Sequence, residues 1–202
     1  MARYRGPIVK KSRRLGIALT DKAARIMEKR TNPPGQHGGR MGRKMSDYGK
    51  HLLEKQRFRH TYGLLEKQFR NYVLKAMAKS GVAGENLLQL LETRLDNMVY
   101  RAGFTRTIRE ARQIVTHKHV IVDGKVVNAP SFLVKPGMKI QVSEKMQKNA
   151  QIREAVGKTG NKTYPYLDIS RPDLSFTLLS IPLRENIPVE LNENMVIEYY
   201  SK

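Results

Sequence analysis

The chain has 202 residues and a formal net charge of +20, with 38 Lys and Arg against 18 Asp and Glu, and no cysteine. Disulfides and thiolate-bound zinc are therefore excluded, and so large an excess of one sign calls for a polyanionic partner. No apolar run reaches membrane-spanning length and no apolar signal core opens the chain, so the sequence reads as a soluble, intracellular protein.

The charge is unevenly spread. Residues 1–60 hold 17 basic and 4 acidic side chains, whereas residues 143–202 hold 8 of each. The front of the chain is built to meet a polyanion, and the neutral tail is expected to pack on protein. Residues 1–45 are rich in Arg, Lys, Gly and Pro, with one weak helical stretch near Asp21–Lys29. Such a segment buries too little apolar surface to order alone and is expected to fold against its partner. Residues 31–39 read as a loop. Ser46-Asp47 starts a helix carrying Leu52, Leu53, Lys55, Gln56 and Arg59, which Gly63 breaks. Leu65, Phe69, Tyr72, Val73 and Ala76 then share a helical face, and Gly81–Gly84 reads as a linker.

Leu91, Leu95, Met98 and Ala102 recur at helical spacing and predict a buried face, with Arg94 and Arg101 pointing away from it. Thr107-Ile108-Arg109-Glu110 has the form of a capping box. It predicts a second helix with Ile108, Ala111 and Val115 inward and Arg109, Arg112 and Gln113 outward. Val120–Val122, Asp123-Gly124 and Lys125–Val127 read as a hairpin with a two-residue turn. A turn at Lys135–Met138 precedes a strand at Lys139–Val142, and residues 144–156 read as a short helix. Residues 161–170 read as irregular, and Ser175–Ile181 and Met195–Tyr199 have β-type composition. The fold expected is α+β. A mostly helical domain with a basic extended arm spans 1–90, and a small helix-helix-hairpin module with a short antiparallel sheet spans 91–152. A C-terminal segment, 153–202, packs back on both.

Arginine outnumbers lysine across residues 94–118, which solubility alone does not require, and guanidinium grips phosphate with two bonds at a time. The row therefore predicts a nucleic-acid-binding surface. Tyr4, Tyr48, Tyr62 and Phe58 lie among basic residues and suit stacking on bases or riboses, with core packing equally open for Tyr62. The spacings of His37, His51, His60, His117 and His119 match no zinc pattern, and Gly35-Gln36-His37-Gly38-Gly39 lacks the Lys-Ser/Thr of a nucleotide-binding loop.

Arg94-Leu95-Asp96-Asn97, Tyr100–Phe104, Ala111-Arg112-Gln113 and His117–Val120 resemble the S4-type RNA-binding module. Pro34–Gly38, Ser46–Gly49, Glu54-Lys55-Gln56, Tyr62-Gly63, Gln68–Asn71, Gly84–Leu88 and Glu198–Lys202 extend the resemblance to the S4 ribosomal protein family that carries it. The resemblance implies binding to small-subunit ribosomal RNA at a multi-helix junction early in assembly, contact with small-subunit protein five, and an influence on translational accuracy. It also implies a cytoplasmic place in a bacterial or organellar ribosome and, in some bacteria, repression of the protein's own messenger RNA. It implies RNA contacts at Arg94, Asn97, Arg101, Arg106, Arg109, Arg112, Gln113, His117, His119 and Asn128. In the basic front of the chain the expected contacts are Arg3, Arg5, Lys10, Lys11, Arg13, Arg14, Gln36, His37, Arg40, Arg43, Lys44, Tyr48, Lys55, Arg57, Arg59 and Arg70.

Three departures stand out. Many relatives have Gly where this chain has Lys118, and Asn where it has Asp123. Val9 and Ser12 occupy the positions where some relatives carry a Cys-x-x-Cys pair before Arg13-Arg14, so zinc is not expected. Arg94-Leu95-Asp96 also opens the active-site motif of a pseudouridine-synthase family, but the flanks differ and 143–202 is too short for a catalytic domain. Asp96 is expected to orient an arginine or cap backbone. No catalysis, cofactor, membrane binding or homo-oligomer is expected. On this reading Arg112→Ala weakens RNA binding by about 1–3 kcal/mol with little loss of fold.

Overall fold

The structure is a computed structural model that describes residues 4–39, 44–159 and 163–201. Arg3, Arg40 and Arg43 lie outside the described residues. The chain forms two compact units: one runs to Gly84 and takes up the residues from Glu190 on, and the other spans Glu85–Val189. The tail expected as one segment is thus divided between them at Glu190.

The first unit is helical. Helix α1 (Ile8–Leu15) ends at Gly16, whose φ of +69° supplies the left-handed cap, and α2 (Asp21–Lys29) starts at Thr20, whose hydroxyl accepts from the Ala23 amide. Ser46 caps α3 (Asp47–Thr61) in the same way through the Gly49 amide. Helix α4 (Glu66–Ala78) buries Phe69, Val73 and Ala76 as its periodicity predicts. The first 45 residues carry one helix more than expected. The reason is tertiary: Leu15 is buried, and its carbonyl accepts from Arg57 Nε of α3 at 2.8 Å, which adds an interhelical bond to the local Gly16 cap.

The last helix of the chain also departs from its local reading. Glu193–Ser201, here α10 once the intervening helices are counted, contains the stretch whose composition suggested a strand. Asn192 Oδ1 accepts from the amides of Asn194 and Met195, and Val196 is fully buried as the helix packs on α3 and α4. Capping and burial override the β preference of its branched and aromatic residues. Phe58, Tyr62 and Phe69 form the aromatic centre of this unit, with Phe69 against Tyr200; Tyr62 is core.

The second unit begins with most of α5 (Ala83–Glu92), followed by α6 (Leu95–Arg101) and α7 (Ile108–Thr116). Its sheet comprises β1 (Val120–Val122), β2 (Lys125–Val126), β3 (Lys139–Val142), β4 (Leu167–Ser170) and β5 (Ser175–Leu178), antiparallel throughout in the order β2-β1-β3-β5-β4. Asp123 and Gly124 both have positive φ, +46° and +79°, as a two-residue hairpin turn demands. Asp123 Oδ1 also accepts from the Lys139 amide, tying the turn to β3. Residues 144–156, expected as one helix, lie in two: α8 (Glu144–Gln147) and α9 (Ala150–Thr159). A short 3₁₀ helix follows at Arg184–Asn186. Leu167–Ser170 lies within the stretch expected to be irregular. It becomes a strand because β5 supplies its partners, Leu167 opposite Leu178 and Ile169 opposite Phe176. Leu95, Met98, Val99, Phe104, Val115, Ile140 and Phe176 close one core under the sheet, with Phe104 and Phe176 rings 5.8 Å apart.

A half-exposed carboxylate ties the first unit together. Glu66 Oε1 accepts from Lys55 Nζ at 2.8 Å and from the Tyr200 hydroxyl at 2.7 Å, joining α3, α4 and α10. Partial burial raises the pKa of Glu66, but the Lys55 and Tyr200 hydrogen bonds and the Lys55 and Arg59 charges outweigh it and hold the carboxyl below its ordinary 4.5. A depressed folded pKa contributes stability while the group is ionised, and that contribution is lost as pH falls through the lowered value. Urea unfolding between pH 7 and pH 3 is expected to show Glu66→Gln costing about 1 kcal/mol or less at neutral pH. The variant should also flatten the acid limb. An unchanged acid limb would remove Glu66 from the account.

Candidate nucleic-acid interface

The arginines of the second unit do not form a row. The helix expected to run through Leu91–Ala102 is broken at Thr93-Arg94, where Arg94 is extended at φ −66° and ψ 139°. Segment 130–134 holds the break: the Thr93 carbonyl accepts from the Val134 amide, and the Leu95 amide donates to the Phe132 carbonyl at 2.8 Å. Arg94 and Arg101 therefore sit on different elements, and both turn inward.

Two fully buried carboxylates receive them. Asp96 accepts from Arg94 Nε and Nη2 at 3.0 and 2.8 Å, from Arg112 Nε and Nη2 at 2.9 and 2.7 Å, and from the Asn97 amide at 3.0 Å. Glu92 accepts from Arg101 Nε and Nη2 at 3.0 and 2.7 Å and from Asn97 Nδ2 at 2.7 Å. The side chains of Arg94, Arg101 and Arg112 retain only 4, 9 and 15% of their exposure, and Asn97 is buried. The outward orientation expected for Arg94, Arg101 and Arg112 is thereby corrected: in this structure they grip carboxylate, which offers a guanidinium the same two-oxygen target as phosphate. Asp96 does what was expected of it, orienting arginine and capping backbone.

Tyr166 lies against this network with its hydroxyl buried. Burial first, then the negative charge of Glu92, push its pKa upward, so the phenol stays neutral. The guanidinium of Arg101 lies 5.8 Å from the centre of the Tyr164 ring.

The positions left facing solvent are those on the far side of α7 and the turn that follows. Thr107 caps α7 by accepting from the Glu110 amide, while Glu110 reaches back to the Arg106 amide, one residue before the position a capping box would use. Arg109 and Gln113 are exposed as expected, as are His117 and Asn128; His119 is half-buried, with Nδ1 3.5 Å from Ser143 Oγ. Arg106 pairs with Glu154. Lys118 is exposed between the two histidines with φ +64°, the left-handed region that a glycine would occupy without cost.

In the first unit Arg5, Lys10, Arg14, Gln36, His37, Lys44, Tyr48 and Arg70 are exposed, and Lys11 and Arg13 are half-buried. Three other expected contacts are engaged internally. Lys55 is buried against Glu66 with its ammonium 4.9 Å from the Tyr199 ring centre. Arg57 bonds Leu15 and Glu54, and Arg59 bonds Gln56. Sequence reasoning passed over Lys118, the exposed cations Lys22, Arg25 and Lys29 of α2, and Arg30 just after it. The charge density of the first 60 residues was the signal that could have included the α2 set. No described group of three or more His, Asp or Glu is placed to hold a metal ion, and no described helix is long and apolar enough to cross a membrane.

Residues 3–92 match the family described as ribosomal protein S4/S9 N-terminal domain, and residues 93–140 match the S4 domain. Over its full length the chain is similar to small ribosomal subunit protein uS4 of Chlorobaculum tepidum, at 47% identity over 203 residues. It is similarly related to uS4 of a Geobacillus species, at 48% over 202 residues, and of Parabacteroides distasonis, at 46% over 202. In each case 100% of both chains is covered.

The buried network makes stability predictions that differ from those of an exposed row. Asp96→Ala strands a buried guanidinium and is expected to cost about 3–5 kcal/mol. Arg112→Ala is expected to cost about 1–3 kcal/mol of fold stability rather than little. Lys118→Gly, by relieving the left-handed backbone, should gain about 1 kcal/mol. Denaturant midpoints of the three variants against the parent chain check the set, and an unshifted Asp96→Ala midpoint would overturn the account of the network.

Proposed function

Since this chain belongs to the ribosomal protein S4 family, whose members are structural, non-enzymatic constituents of the small ribosomal subunit, we propose that it binds small-subunit ribosomal RNA at a multi-helix junction. Binding there nucleates subunit assembly. The observation that carries this reading is the set Arg5, Lys10, Arg14, Lys44 and Arg70. All are exposed, and none is paired to a carboxylate among the described residues. Cations in that state exchange counterions for backbone phosphates, which gives sequence-independent affinity and a steep salt dependence.

The second unit contributes Arg109 and Gln113 of α7, His117, Lys118 and His119 in the turn beyond it, and Asn128 after β2. Side chains of this kind recognise ribose, phosphate and unpaired bases by shape. Arg94, Asn97, Arg101 and Arg112 act one step back, fixing where those groups stand. Rigid placement of several such contacts favours one folded state of the junction over others. Contact with small-subunit protein five, an influence on translational accuracy and repression of the protein's own messenger belong to the same proposal as consequences of holding that RNA. The place of action is the ribosome of a bacterium or an organelle.

The test is binding of the full chain to folded small-subunit RNA, to unrelated structured RNA and to duplex DNA of equal length, across a salt series. A preference of about a thousandfold or more for the small-subunit RNA, falling steeply with salt, is expected. Equal affinity for all three would mean that charge density acts alone and would overturn the proposal.

A further inference from the structure

Resting on the RNA-binding reading above, we propose that the first unit holds a seat for two consecutive unpaired ribonucleotides. One base enters each of two adjoining hollows, and the phosphodiester between them lies on Lys11 and Arg14.

The first hollow, about 410 Å³, lies between α1 and α3. Leu15, Leu52 and Leu53 give it apolar surface, and Gln56 and His60, both held by Arg59, stand in its wall. The second, about 480 Å³, is lined by Tyr4, Pro7, Pro33 and Pro34, flat side chains against which a base can stack. Lys11 and Arg14 line both. The Tyr4 ring stands edge-on to His60 at 5.4 Å, and Lys11 Nζ lies 5.8 Å from the Tyr4 ring centre, so the two hollows meet along these groups.

Charge identifies the occupant. Among the described residues no Asp or Glu lines either hollow, whereas Lys10, Lys11, Arg14 and Arg59 do. Arg59 is partly neutralised by Glu66 at 3.7 Å, which leaves Lys11 and Arg14 as the phosphate pair. Apolar hollows on either side of two shared cations match base, phosphate, base. A paired helix does not fit, because its bases stay stacked and out of reach of concave apolar surface. Each hollow falls within the size range of small-molecule sites.

The experiment is methyl and aromatic NMR of the full chain with three probes of matched phosphate count: a single-stranded heptaribonucleotide, the same strand with every base removed, and an RNA duplex. The heptaribonucleotide is expected to shift the Leu52 and Leu53 methyls and the Tyr4 ring. The abasic strand and the duplex are expected to leave them in place. Leu53→Ser should lower heptaribonucleotide affinity about tenfold and abasic affinity less than twofold. Equal shifts from all three probes, or none from any, would overturn the seat. If the chain still prefers small-subunit RNA over unrelated RNA while the leucine methyls stay silent, the seat fails and the function stands. Loss of that preference as well would overturn both.

Discussion

Two buried carboxylates, Glu92 at the end of α5 and Asp96 in the first turn of α6, set the terms for the second unit. Asp96 and Glu92 are both fully excluded from water, which costs several kcal/mol per charge unless each is paired and hydrogen-bonded. Both are. Asp96 takes two guanidiniums and a backbone amide, and Glu92 takes one guanidinium and the side-chain amide of Asn97. Asn97 belongs to both sets, through its amide to Asp96 and its side chain to Glu92. Arg112 anchors α7 to this point, so the exposed groups of α7 and of the turn after it take their positions from the network beneath.

The first unit uses acids in the same way. Glu54 accepts from Arg57 Nη1 and from the Asn192 amide, while Arg57 also reaches the carbonyl that ends α1. Glu66 joins Lys55 of α3 to Tyr200 of α10, whose own hydroxyl is pushed upward in pKa by burial and by this carboxylate. With 18 acidic residues against 38 basic ones, acids spent on internal ties are withdrawn from the surface together with only some of the bases. The bases left outside these ties still outnumber the acids, and an excess of positive charge suits a phosphate backbone.

Local rules carried some elements well and others poorly, and the division has a cause. The α7 cap, the Asp123-Gly124 turn and the buried face of α4 depend on residues a few positions apart, and all three were legible. Leu167–Ser170 and Glu193–Ser201 were not, because pairing with β5 and a packing surface on α3 decided them. The break before Arg94 belongs with these: Leu91, Leu95 and Met98 keep helical spacing across it, while segment 130–134 holds the backbone extended.

By itself the sequence determined the partner's charge, the absence of thiol chemistry, the α+β class and, through an ordered series of motifs, the family. Each of these follows from composition or from short-range order. Only the tertiary structure decided which arginines are structural. Guanidinium binds carboxylate and phosphate with the same pair of parallel hydrogen bonds. Its destination therefore depends on which anion the fold brings within about 3 Å. For Arg101 and Arg112 that anion lies 9 and 16 residues away in sequence, beyond the reach of any helical-face argument.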